Sequence, residues 1–68
     1  MSIITDAELI QYLANDYTVA EISDKEKINK RTLESRIAVI KQRLNVRSYA
    51  AAVAIYFDKG LIKIKIYD

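Results

Sequence analysis

Cysteine and histidine are both absent from this chain. That removes disulfides, thiolate nucleophiles, ordinary zinc sites and any imidazole acid or base. No nucleophile with an activating base can then be assembled, short of an unusual Lys or Tyr base; no catalytic residue, metal, cofactor or small-molecule substrate is expected. The lack of cysteine suits a reducing compartment. Proline is also absent, and Gly60 is the only glycine. A Gly-Ser or Pro-rich linker and a Gly-rich phosphate loop are thereby excluded. No apolar run approaches the length that spans a bilayer, and the first residues do not read as a signal peptide. The expectation is a cytoplasmic protein with no membrane partner. At 68 residues the chain makes one small domain. A core that size needs well-packed helices or a partner subunit.

What is present is most informative between Ile28 and Val46. Leu33, Ile37, Ile40 and Leu44 are spaced four, three and four apart, which forms a narrow apolar stripe on a helix. Arg31, Ser35, Ala38 and Gln42 fall on the opposite side, flanked by Lys30, Arg36, Lys41 and Arg43. The net charge of +2 conceals an asymmetry. Residues 28–47 carry six cations and one anion, while the remainder sums to −3. Such a local basic stripe is the usual electrostatic footprint of a nucleic-acid binder. A helix with one face for a core and one for cations and short polar groups suits a DNA major groove.

Helix starts are written plainly. Thr5 with Glu8 and Thr18 with Glu21 are capping boxes, each with a hydrophobic staple: Ile4 with Leu9, and Tyr17 with Ile22. Asn29 caps a third helix, with Ile28 and Leu33 as its staple, and Ser48 caps a fourth. The spacing predicts helices over about 6–15, 19–26, 30–44 and 49–59, with Gly60 ending the last in a left-handed conformation. Only Lys27, Ile28 and Asn29 separate the second and third helices. A short helix, a tight turn and a longer basic helix make a helix-turn-helix.

The fourth helix, Y-A-A-A-V-A-I-Y-F, is apolar almost all round. One side can face the other helices. A symmetric partner subunit is the simplest cover for the rest, although alanine also serves helix propensity alone. The expected dimer contacts are Tyr49, Ala50, Val53, Ala54 and Phe57. The tail L-I-K-I-K-I-Y-D alternates strictly, placing Ile62, Ile64 and Ile66 on one side. A lone strand needs a partner. It can pair with the same tail of a second copy, pack along the helices, or fray.

The stretch E-I-S-D-K-E-K-I-N-K-R-T-L-E-S-R-I-A-V-I-K-Q-R-L-N-V-R-S-Y-A-A-A-V, from Glu21 to Val53, resembles the LuxR-type helix-turn-helix. That family's pattern is roughly E-I-A-x-x-L-x-I-S-x-x-T-V-K-x-H-x-x-N-I-x-x-K-L-x-V-x-x-R-x-x-A-V. The match is ungapped, and Thr5 and Leu13-Ala14 fit the family's first helix. The resemblance implies that Thr18, Asn29 and Thr32 contact phosphates. It implies that Glu34, Ser35 and Ala38 face base edges, with Arg31 beside them, and that the fourth helix dimerises. Several positions depart from the pattern. Glu34 replaces a basic residue, Arg36 a histidine, Glu26 an apolar residue and Tyr49 an arginine. Glu34 in a groove repels phosphate but can accept from cytosine N4.

The expectation is thus an all-α four-helix bundle with a central helix-turn-helix over residues 1–60 and an extended tail over 61–68. Its function would be sequence-specific binding of double-stranded DNA as a homodimeric transcription regulator. Arg31, Glu34, Ser35 and Ala38 would read bases. Thr18, Asn29, Lys30, Thr32, Arg36, Lys41 and Arg43 would hold phosphates. The competing reading is a protein-interaction or oligomerisation module with the same fold. Asp6, Glu8 and Asp16 do not suggest carboxylate catalysis, since helix-start electrostatics explain the first two. The five tyrosines, at positions 12, 17, 49, 56 and 67, form no stacking platform.

Overall fold

The computed structural model describes residues 4–64. Four helices follow in order: α1 (Asp6–Ala14), α2 (Val19–Glu26), α3 (Lys30–Leu44) and α4 (Tyr49–Asp58). No strand occurs among the described residues, so the architecture is all-α as expected. The first and last helices each stop one residue short of the sequence expectation. All four caps form. The Thr5 hydroxyl accepts from the Glu8 N–H at 3.1 Å, and the Glu8 carboxylate accepts from the Thr5 N–H at 2.9 Å. Thr18 and Glu21 repeat that geometry. Asn29 accepts from the Arg31 N–H and Ser48 from the Ala51 N–H. Each satisfies a donor that the helix leaves without a partner.

The helix ends share one device. Asp16, Lys27, Asn45 and Gly60 all adopt left-handed backbone, at φ of 68°, 57°, 58° and 73°. In each case the next N–H reaches back five residues: Tyr17 to Tyr12, Ile28 to Ser23, Val46 to Lys41 and Leu61 to Tyr56. This is the Schellman stop. Sequence reasoning found it at Gly60 alone. The other three positions lack the glycine that signals it, and only asparagine and aspartate tolerate the conformation well.

Leu33, Ile37 and Ile40 of the α3 stripe are buried, and Leu44 is half-buried. They join Ile4, Leu9, Ile10, Ile22, Ala52 and Ile62 in one core. α1 packs on α4, α2 on α3, and α3 on α4. A second link ties α1 to α2. The Tyr12 hydroxyl donates to a Glu26 carboxylate oxygen, and the Tyr12 and Tyr17 rings meet edge-on with centroids 4.9 Å apart. The Lys25 ammonium sits 5.9 Å and 5.5 Å from those two centroids. Glu26, at an apolar position of the family pattern, is thus accommodated by a phenol.

Of the three expectations for the tail, its described part follows the second. Ile62 is buried in the core. The Gln11 side chain accepts from the Lys63 N–H at 2.8 Å and donates to the Lys63 carbonyl at 2.7 Å. One amide thereby supplies both partners that a neighbouring strand would offer. The expectation for Ile66 lies outside the described residues.

Candidate nucleic-acid interface

The α2–α3 turn sets how α3 is presented. Lys27 stops α2, and the Ser23 hydroxyl donates to the Ile28 carbonyl at 2.6 Å. Ile28 packs against the core and Asn29 then caps α3. The turn is closed by its own hydrogen bonds, so the start of α3 is held firmly.

With the Leu33, Ile37 and Ile40 face buried, the opposite face is open. Arg31, Glu34, Ser35 and Ala38 are all exposed, as are Lys30, Thr32 and Gln42. The structure therefore brings the four expected base readers onto one accessible surface. The expected phosphate residues are more varied. Thr18 and Asn29 use a side-chain oxygen to cap their helices, which leaves the Thr18 hydroxyl hydrogen and the Asn29 amide as donors. Lys41 is half-buried, and its ammonium lies 5.0 Å from the Tyr49 ring centroid. Arg43 is open, with its side chain 71% exposed, and reaches Asp6 only at 3.6 Å.

Arg36 differs from the rest. Its guanidinium donates to Asp6 Oδ1 at 2.6 Å and to the Ile4 carbonyl at 2.7 Å, and its side chain is 27% exposed. It staples the start of α1 to the middle of α3. The partners are 30 and 32 residues away, and nothing local in the sequence signals such a pairing. Asp6, Ser35, Arg36, Val39 and Arg43 together line a shallow depression of 230 Å³.

The electrostatics of the helix starts are unequal. α1 begins with Asp6 and Glu8 and α2 with Glu21, all suited to the positive end of a helix dipole. The capping N–H and hydroxyl of Thr5 hold the Glu8 carboxyl below its ordinary 4.5, and Thr18 does the same for Glu21. α3 instead opens with Lys30 and Arg31, with no acid in its first turn. Cations at that end oppose the dipole.

Across the molecule, α4 leaves Tyr49, Ala50, Ala54 and Phe57 exposed and Val53 half-buried. Tyr49, Ala50, Val53 and Ala54 line a groove of 680 Å³ that continues onto α1, the start of α2 and Ile64. Among the described residues no helix is long and apolar enough to cross a membrane.

Residues 5–56 match the model of the family described as bacterial regulatory proteins, luxR family. The matched segment spans α1, α2 and α3 and most of α4. Neither the curated proteins nor the solved structures gave a significant match.

Proposed function

The chain belongs to the luxR family of bacterial regulatory proteins, which carries a DNA-binding regulatory role in general; from that premise we propose sequence-specific binding of double-stranded DNA by a homodimer, with α3 in the major groove. The observation that carries this reading is the reversed charge at the start of α3. Two neighbouring helices obey the dipole rule and the third breaks it with Lys30 and Arg31. A local rule broken on an exposed face points to a site whose partner supplies the missing charge. A phosphate backbone beside the helix is such a partner for Lys30, and the acceptor edge of a guanine in the groove is one for Arg31.

In this reading Arg31, Glu34, Ser35 and Ala38 read base edges. Arg31 suits the two acceptors of guanine and Glu34 the N4 donor of cytosine. Thr18, Asn29, Lys30, Thr32, Lys41 and Arg43 hold the backbone. Arg36 takes a phosphate only by exchanging Asp6, so it adds least to the electrostatic term. Tyr49, Ala50, Val53, Ala54 and Phe57 form the dimer seam, which fixes the spacing of two half-sites. The work is cytoplasmic, on the nucleoid.

The test is selection of bound duplexes from a randomised pool at two salt concentrations. A recurring motif with half-sites in a fixed spacing is the expected result. Failure to enrich any sequence, with binding equally weak at both salt concentrations, would remove DNA as the partner and leave the interaction-module reading.

A further inference from the structure

Val39 is 45% exposed, although it stands in the middle of α3, a helix whose buried stripe is complete without it. It lies one turn beyond Ser35, so the two share a face. Ser35, Ala38, Val39 and Gln42 are all exposed and none is charged. Helical spacing places Arg31 at the N-terminal end of this ridge, Lys30 and Lys41 along one side with Glu34 beside them, and Arg43 with the Asp6-paired Arg36 along the other. An ordinary solvated face would carry lysine or glutamate there. Valine is also a poorer helix former than either, because its branched side chain loses rotamer freedom. Val39 is not among the residues packed on the core, and it shares the 230 Å³ depression with Asp6, Ser35, Arg36 and Arg43. The LuxR-type pattern has asparagine here.

A partly apolar stretch of the outer face, with Lys30, Lys41 and Arg43 at its margins, matches one feature of duplex DNA. The phosphates run along both rims of the major groove. On its floor, thymine alone among the four bases presents an apolar group, its C5 methyl. We propose that Val39, with the Ala38 methyl beside it, is a specificity-determining contact for thymine methyl groups in the half-site. This rests on the DNA-binding reading and sharpens it. Arg31 and Glu34 select a G·C step, and Val39 with Ala38 selects an adjoining thymine. The apolar contact contributes discrimination where hydrogen bonds are absent, by excluding water from a methyl group.

The experiment uses the whole chain, the duplex its own selection yields, and deoxyuridine as the probe. Deoxyuridine keeps every hydrogen-bonding group of thymine and lacks only the methyl. Each thymine of the half-site is replaced in turn, and affinity is measured for the wild type and for Val39→Ala. Alanine on an exposed helix face preserves the fold, and circular dichroism confirms it. At one or two positions the wild type should lose about fourfold in affinity, the scale of one buried methyl. Val39→Ala should bind the thymine duplex about that much more weakly and show little further loss on deoxyuridine. Two results overturn the inference while leaving DNA binding intact: no thymine position is sensitive, or wild type and variant lose equally. If the wild type binds no selected duplex at all, the DNA-binding reading itself fails, and this inference with it.

Discussion

Lys27 carries more of this fold than its surface position suggests. It is a left-handed residue at the end of α2, and the turn that launches α3 depends on it. A non-glycine residue in that conformation bears a cost of about 1 kcal/mol. Lys27→Gly should therefore raise stability by about 0.5 kcal/mol, after allowing for the looser unfolded chain. Gly60→Ala should lower it by about 1 kcal/mol. A Cβ there meets nothing within 4 Å, so only its φ of +73° is at issue. Urea unfolding of the two variants checks both signs, and opposite signs would show that the helix stops are not under strain. Tyr12 makes a second residue-scale prediction. Its bond to Glu26 pushes the phenol up to about 12 from an ordinary 10.0. A pKa raised by folding contributes stability that is complete below pH 10 and is lost as pH climbs toward 12. Tyr12→Phe should lose that part of the alkaline unfolding, read as a shallower fall in stability between pH 10 and 12. Neither residue announced its role. Lys27 lacks the glycine that marks such a stop, and Tyr12 finds Glu26 only when α1 and α2 meet.

The helices themselves were legible because each carries its own start signal and spacing. Thr5, Thr18, Asn29 and Ser48 are local features, and a four-three-four apolar stripe fixes which face of α3 is buried. The outer face of α3 followed directly from that stripe. Pairings between elements were not legible. The alternating tail allowed three partners, and Gln11 decided among them for Lys63 through a contact 52 residues away in the chain. The same holds for Arg36, whose place beside Lys41 and Arg43 in sequence suggested a phosphate residue. Its contacts with Asp6 and Ile4 join α1 to α3. Arg36→Gln should cost about 1 kcal/mol of stability, as expected for a half-exposed charged pair. It should leave the salt dependence of DNA binding nearly unchanged. A fall in that dependence as large as the one caused by Arg43→Gln would make Arg36 a phosphate contact after all.

At the scale of the whole molecule, the described chain has two unlike surfaces. One is the basic face of α3, and the other is the apolar edge of α4 with Phe57 and Leu61 about half exposed. Apolar groups clustered this way on so small a domain call for a cover. In the dimer reading, Phe57→Glu should separate the subunits in sedimentation and weaken binding to a two-half-site duplex by at least about tenfold, while leaving single half-site binding alone. A variant that stays dimeric would place the seam elsewhere. The charge distribution acts on the same scale. Three open or semi-open cations per subunit (Lys30, Lys41 and Arg43) serve phosphate in this account. Two subunits then neutralise about six phosphates, and log affinity should fall with log salt with a slope near −5.

The most direct measurement is that slope, taken on the selected duplex for the wild type and for Arg31→Ala. The account predicts a steep slope for both, because Arg31 reads a base and the other cations remain. It further predicts that Arg31→Ala loses about 1–3 kcal/mol on the selected duplex and almost nothing on random DNA, so that specificity collapses while the salt term survives. A slope near zero in the wild type, or an equal loss on selected and random DNA, would contradict the claim that α3 reads sequence in the groove.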